Sequence, residues 1–301
     1  MGSLVYQVIS SAALMTLGMY HLISTTRNYL KSPLSYAAKP FHPFPYPRRL
    51  PLYLIITSLL LAIAHHLLIS ADADPLVRGA TAVHRITSLQ SAATLFLFLL
   101  LALALLVSDA SPSLLPLSPD LSFALASALF LLHASLASAR ASLQTSAIEA
   151  KCLSVSASLS HLSALLCLLL SALPRLFPAD AALSAAFCLR GLWALQSGLS
   201  LYADAFIPEG CHRLLDVTSG VEGSTQCDLE ESKLRAVAIL DLAFLIHAIF
   251  VVLIVLLTYA LVCRSVGGRR LGSYEALPTA ASPTDANHSH IQMKALTGTQ
   301  A

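Results

Sequence analysis

The chain has 301 residues, of which 56% are hydrophobic and only 11% charged, with a net charge of +2. Soluble domains carry about 45–50% apolar and about 25% charged residues, so there is too little charge here to clothe a water-soluble fold of this length. The weak net charge, without any basic cluster interleaved with aromatics, gives no footprint for nucleic acid. The Leu, Ala and Ser richness lacks the alternation of an outer-membrane barrel.

Several apolar runs reach the roughly 20 residues that cross a hydrocarbon core of about 30 Å. The fold class expected is all-α: a polytopic bundle of about seven transmembrane helices at 4–25, 51–71, 83–107, 119–139, 152–173, 181–206 and 236–263. The first run is read as a span and not a cleaved signal, because the first positive side chain, Arg27, follows it. Pro33, Pro40, Pro43, Pro45 and Pro47 keep the first loop extended, Asp72, Asp74 and Pro75 mark the second, and Pro112 and Pro116 the third. Pro174 and Pro178 separate spans five and six. Spans four and five are the least punctuated pair, and merging them would give six spans and an inverted C-terminus. The domain reading is a transmembrane domain at 1–263 followed by a polar, disordered cytoplasmic tail at 264–301.

Orientation follows from the Lys/Arg bias of short loops. The first loop holds Arg27, Lys31, Lys39, Arg48 and Arg49 with no acid, and Arg264, Arg269 and Arg270 follow the last span. Seven spans put both segments on the cytoplasmic side. The N-terminus and the sixth loop then face the lumen or the exterior of an endomembrane or plasma membrane. That loop carries Cys211 and Cys227, a disulfide candidate in an oxidising compartment. Cys263 at the cytoplasmic end of span seven is a palmitoylation candidate. In the tail, Tyr274 to Leu277 has the form of a tyrosine-based sorting motif, and Asn287-His288-Ser289 is a glycosylation sequon placed on the wrong side for use.

Span six is the most informative helix. Gly191, Ala194 and Gly198 lie three and four apart, a flat stripe for helix packing and for other membrane proteins to approach. Gln196 falls on an adjacent face and is expected to hydrogen-bond across helices. Arg190 sits deep in the same span, at a cost of about 2.5–3.5 kcal/mol on insertion scales, so it must face the bundle interior or water. Span seven offers Asp241 as its counter-ion and His247 at similar depth. His65, His66, His133 and His161 fall with His247 in the lumenal halves of their spans. Imidazoles from several helices are a candidate set for a transition metal or haem, although no H-E-x-x-H or repeated i, i+4 pair supports it. No cofactor is expected on the leading reading. There is no G-x-S-x-G elbow, Walker loop or paired carboxylate either, so catalytic residues are none and the expectation leans away from an enzyme.

The stretch G-L-W-A-L-Q-S-G from Gly191, then D-A-F-I-P-E-G-C ending at Cys211 and the second-cysteine loop, resembles the transmembrane protein 45 family, also called domain of unknown function 716. L-Q-S-A-A-T-L-F (Leu89 to Phe96) and A-K-C (Ala150 to Cys152) are similar to its plant branch. The resemblance covers nearly the whole chain to about Cys263. It implies a membrane protein of about seven spans with no established activity. Where other branches carry an H-x-H pair in span four, only His133 remains here, and the His65-His66 region stands where they place an acid late in span two. The leading functional expectation is a non-enzymatic multi-pass protein acting by interaction or in trafficking. The alternatives are a redox or metal-handling protein using the histidines, and a small-solute transporter using Arg190 and Asp241.

Overall fold

The structure, a computed structural model, describes residues 2–44, 46, 48–71, 82–213 and 225–271. Among them are seven long helices: α1 (Gly2–Lys31), α2 (Leu50–Ala71), α3 (Ala82–Ala110), α4 (Pro119–Leu143), α5 (Ala147–Ala172), α6 (Phe177–Tyr202) and α7 (Glu230–Leu271). A small antiparallel hairpin, β1 (Cys211–Arg213) and β2 (Thr225–Cys227), pairs Cys211 with Cys227 and Arg213 with Thr225. The expected Cys211–Cys227 disulfide closes it.

The helix ends have local causes. The Ser118 hydroxyl caps α4 by accepting from the Leu121 N–H, with Pro119 and Asp120 in the first turn. Ser146 caps α5 in the same way, 3.4 Å from the Glu149 N–H. Gln144 ends α4 in an extended conformation, so α4 and α5 are separate helices. Span six was expected at 181–206; α6 instead runs Phe177–Tyr202. Pro178 is not a separator but lies in the first turn, where a missing N–H costs nothing. Beyond Tyr202 the chain tightens into a 3-10 turn at Asp204–Phe206.

Packing follows the small residues. A methyl added at Gly18 would lie 2.6 Å from Cys188 Sγ and 2.9 Å from the Ser184 carbonyl oxygen. One at Gly191 would meet the Met15 N–H nitrogen and the Ser11 carbonyl oxygen at 3.0 Å, and one at Gly198 would meet Gln7 Cβ at 2.6 Å. These three contacts run in opposite directions along α1 and α6, which are therefore antiparallel and in near backbone contact along their length. α4 and α5 pair the same way: Ser127 Oγ donates to the Ala164 carbonyl (2.8 Å) and Ser171 Oγ to that of Asp120 (2.9 Å). Two apolar clusters fill the bundle. Phe123, Leu166, Leu170 and Leu183 lie toward one end with Ala38 of the first loop; Ile148, Trp193, Leu201 and Leu240 lie toward the hairpin. The Trp193 indole donates to the Cys152 carbonyl at 3.1 Å.

Six of the seven helices are long and apolar enough to cross a membrane, α6 being the exception. Composition explains it, since α6 carries Asp180, Arg190 and several serines. Its antiparallel register on α1 nevertheless carries it across whatever α1 crosses. Tyr259 of α7 approaches Phe177 while Phe244 meets Trp193 edge-on, so α7 runs antiparallel to α6. Leu242, Leu245, Ile246, Ile249, Phe250 and Leu253 of α7 stay exposed. Such a surface suits hydrocarbon and not water.

Candidate functional site

Three side chains at the midpoints of their helices meet inside the bundle: His133 of α4, Ser160 of α5 and Arg190 of α6. Arg190 Nη1 donates to Ser160 Oγ at 2.7 Å, and Nη2 lies 3.2 Å from His133 Nε2 and 3.3 Å from Nδ1. Ser160 is fully buried and spends its own hydrogen on the Ser156 carbonyl (2.8 Å). It therefore accepts from Arg190 and from His133 Nδ1, 3.0 Å away. Both partners of the guanidinium lack a formal negative charge. Among the described residues no carboxylate is ion-paired with Arg190.

Asp241 lies elsewhere. It pairs with Lys151 at 2.5 Å, so its charge is balanced by that lysine and not by Arg190 as expected. His65 stacks on Tyr6 with ring centroids 4.1 Å apart, and His66 meets the same ring edge-on at 5.5 Å. His161 is exposed on the outer face of α5, and His247 is partly buried with a buried Nδ1 that has no hydrogen-bond partner. His65 and His66 thus share the Tyr6 ring while His133 meets Arg190, and among the described residues no group of three or more His, Cys, Asp or Glu side chains is placed to hold a metal ion. Gln196 bonds to Ser200 of its own helix at 3.0 Å, and among the described residues no bond across to a neighbouring helix accompanies it. Gly191 and Gly198 face α1, while Ala194 is partly buried. Tyr274 and Leu277 lie outside the described residues.

A second polar centre, which the sequence reading missed, sits toward the first loop. Asp180 of α6 is fully buried. Its Oδ2 accepts from Tyr36 Oη at 2.5 Å and from Thr25 Oγ1 at 3.2 Å, while its Oδ1 has no hydrogen-bond partner and lies 3.7 Å from His21 Nδ1. Thr25 Oγ1 is also 3.0 Å from His42 Nε2, and Asn28 Nδ2 is 3.2 Å from His42 Nδ1. His42 lies in the loop yet is only 4% exposed. Burial, reinforced by the nearby His21 and Lys39 charges, pushes its pKa down to about 3, so the ring is neutral. Burial and the adjacent Asp180 carboxylate push the Tyr36 hydroxyl well above the usual tyrosine range. The signal for this centre is a lone acid just after Pro178; the span expected at 181–206 begins just beyond it, whereas α6 begins at Phe177.

Apolar helices that alternate in direction around a polar interior define a multi-pass integral membrane protein. Residues 119–260 match the model of a family described as a family of unknown function (DUF716). That family is the transmembrane protein 45 family, and the match spans just under half of the chain. The matched segment runs from the start of α4 into α7 and includes His133, Ser160, Asp180 and Arg190. No curated protein matches the chain.

Proposed function

We propose that this protein binds and translocates a small carboxylate-bearing solute, with Arg190 as the anion-recognising group. The observation that carries the reading is a guanidinium at the midpoint of α6 that, among the described residues, is held by His133 and Ser160 and by no carboxylate. A cation inside a bilayer-spanning bundle without a carboxylate is costly, and such residues mark substrate or ion pathways. The planar fork of arginine matches a carboxylate with two parallel hydrogen bonds. Arg190 is partly buried. A single positive charge favours a monoanion over a multiply charged phosphate. His133 and Ser160 hold the fork in place, and a bound carboxylate replaces the missing counter-charge. The transporter reading therefore stands on Arg190, His133 and Ser160, without Asp241.

The test uses purified protein in detergent and a panel of monocarboxylates, with inorganic phosphate and chloride as controls. A carboxylate that raises the melting temperature of the wild type but not of Arg190→Gln, and that enters proteoliposomes only with the wild type, is the expected result. Absence of any carboxylate-dependent shift in the wild type, or an equal shift in Arg190→Gln, removes the proposal.

A further inference from the structure

We infer that His21 and Asp180 form a proton-binding site that latches the first loop onto the bundle, a second site independent of Arg190. Hydrogen-bond accounting around His21 carries it. Ser184 Oγ donates to the Asp180 carbonyl at 3.0 Å, so His21 Nδ1, 2.8 Å from that hydroxyl, must donate to it. On the other side of the ring, Nε2 lies 3.4 Å from the Lys39 carbonyl, a group that only accepts. Both ring nitrogens therefore face acceptors, and the unpartnered Oδ1 of fully buried Asp180 lies 3.7 Å from Nδ1. A proton on the imidazole satisfies both acceptors and balances the carboxylate.

The same proton ties down the loop. Lys39 accepts from His21, Tyr36 donates to Asp180, and the Ala38 N–H donates to the Pro174 carbonyl at 2.7 Å. When the proton leaves, Nε2 loses its hydrogen, its contact with Lys39 becomes lone pair against lone pair, and a buried carboxylate loses its balancing charge. The proton passes to water on the loop side.

The other titratable groups facing the pair are Tyr36, His42 and Lys39 from the loop and Cys167 from α5. His42 is neutral in the folded chain above about pH 3, and an unfolded histidine is neutral above about 6.5. His42 thus adds no pH dependence above about 6.5. Tyr36 stays protonated when folded and an unfolded tyrosine titrates near 10, so it adds none below about pH 9.

The experiment is thermal melting of the full chain in detergent from pH 6.5 to 9. The wild type is expected to lose melting temperature steadily as pH rises, and His21→Gln and Asp180→Asn are each expected to lose that slope. A flat wild-type profile, or variants that keep the slope, overturns the inference. Hydrogen–deuterium exchange on the wild type needs no variant to fold: exchange at 33–44 should speed up at pH 9 beyond the intrinsic rate, and unchanged protection overturns the latch. Replacing potassium with sodium at constant ionic strength is expected to change nothing. A sodium-specific rise in melting temperature that Asp180→Asn abolishes would replace the proton by a metal cation and also overturn it. None of these readouts needs an anion, so failure here and failure of the Arg190 reading are distinguishable.

Discussion

At His42 both ring nitrogens have a partner only while the ring is neutral: Asn28 donates to Nδ1, and Nε2 donates to Thr25. The pKa is pushed down to about 3, so the unfolded chain takes up a proton here between about pH 6.5 and 3 while the folded chain does not. The contribution of His42 is therefore fully present above about pH 6.5 and lost as pH falls toward 3. Melting of the wild type should drop across that acid range, and His42→Asn should flatten the drop; an equally steep profile in the variant would refute the assignment. Arg190 was legible in the sequence because an arginine within an apolar run stands out alone. Its partnership was not: His133 stands out as a histidine but groups with the other imidazoles, Ser160 is one serine among many in α5, and only the α4–α5 register brings them to one depth. Asp180 was hidden for a different reason: its Oδ2 is held by Tyr36 and Thr25, which lie far away in the chain.

Between elements, the α1–α6 contact is the most exacting. At Gly191 an added methyl meets the backbone of Met15 and Ser11 at 3.0 Å, and neither can swing aside as a side-chain tip can. Overpacking of this kind costs typically 1–3 kcal/mol. Gly191→Ala should lower the melting temperature in detergent, whereas an alanine at Gly267, which has nothing within 4 Å, should leave it unchanged. Equal melting of the two variants would mean that α1 and α6 are not in close contact. The glycine spacing on α6 announced such a stripe, but the partner helix could not be read from it, because any helix offering small residues fits. The hairpin shows the same division. Its cysteines were plain in the sequence, while its seat depends on Thr225, which accepts from Ser146 at 2.5 Å and donates to the Leu201 carbonyl at 3.3 Å. On the chain-entropy model the disulfide, closing a separation of 16 residues, contributes roughly 3 kcal/mol.

For the molecule as a whole, the helix order alternates throughout: α1 begins and α6 ends beside the hairpin, and α7 begins there too. The Lys/Arg-rich first loop and Arg264 consequently share the opposite end, as the charge bias of the sequence required. We expect that end to face the cytoplasm. Exposed Cys263 should then react with a membrane-impermeant maleimide only after the plasma membrane of intact cells is permeabilised, and labelling of sealed cells would invert the orientation. The number of crossings was readable from apolar run length, and the helix ends were less so, because caps such as Ser146 extend a helix beyond its apolar stretch. Run length has one more effect. The apolar interval of α7 between Asp241 and Arg264 is about 33 Å long at roughly 1.5 Å per residue, against a hydrocarbon thickness of about 30 Å. The two lengths nearly match, so the bilayer forces little tilt on the helix. The Asp241 carboxylate thus sets one edge of the hydrocarbon-crossing stretch, and an uncharged residue there would lengthen that stretch and tilt the helix in a bilayer of ordinary thickness.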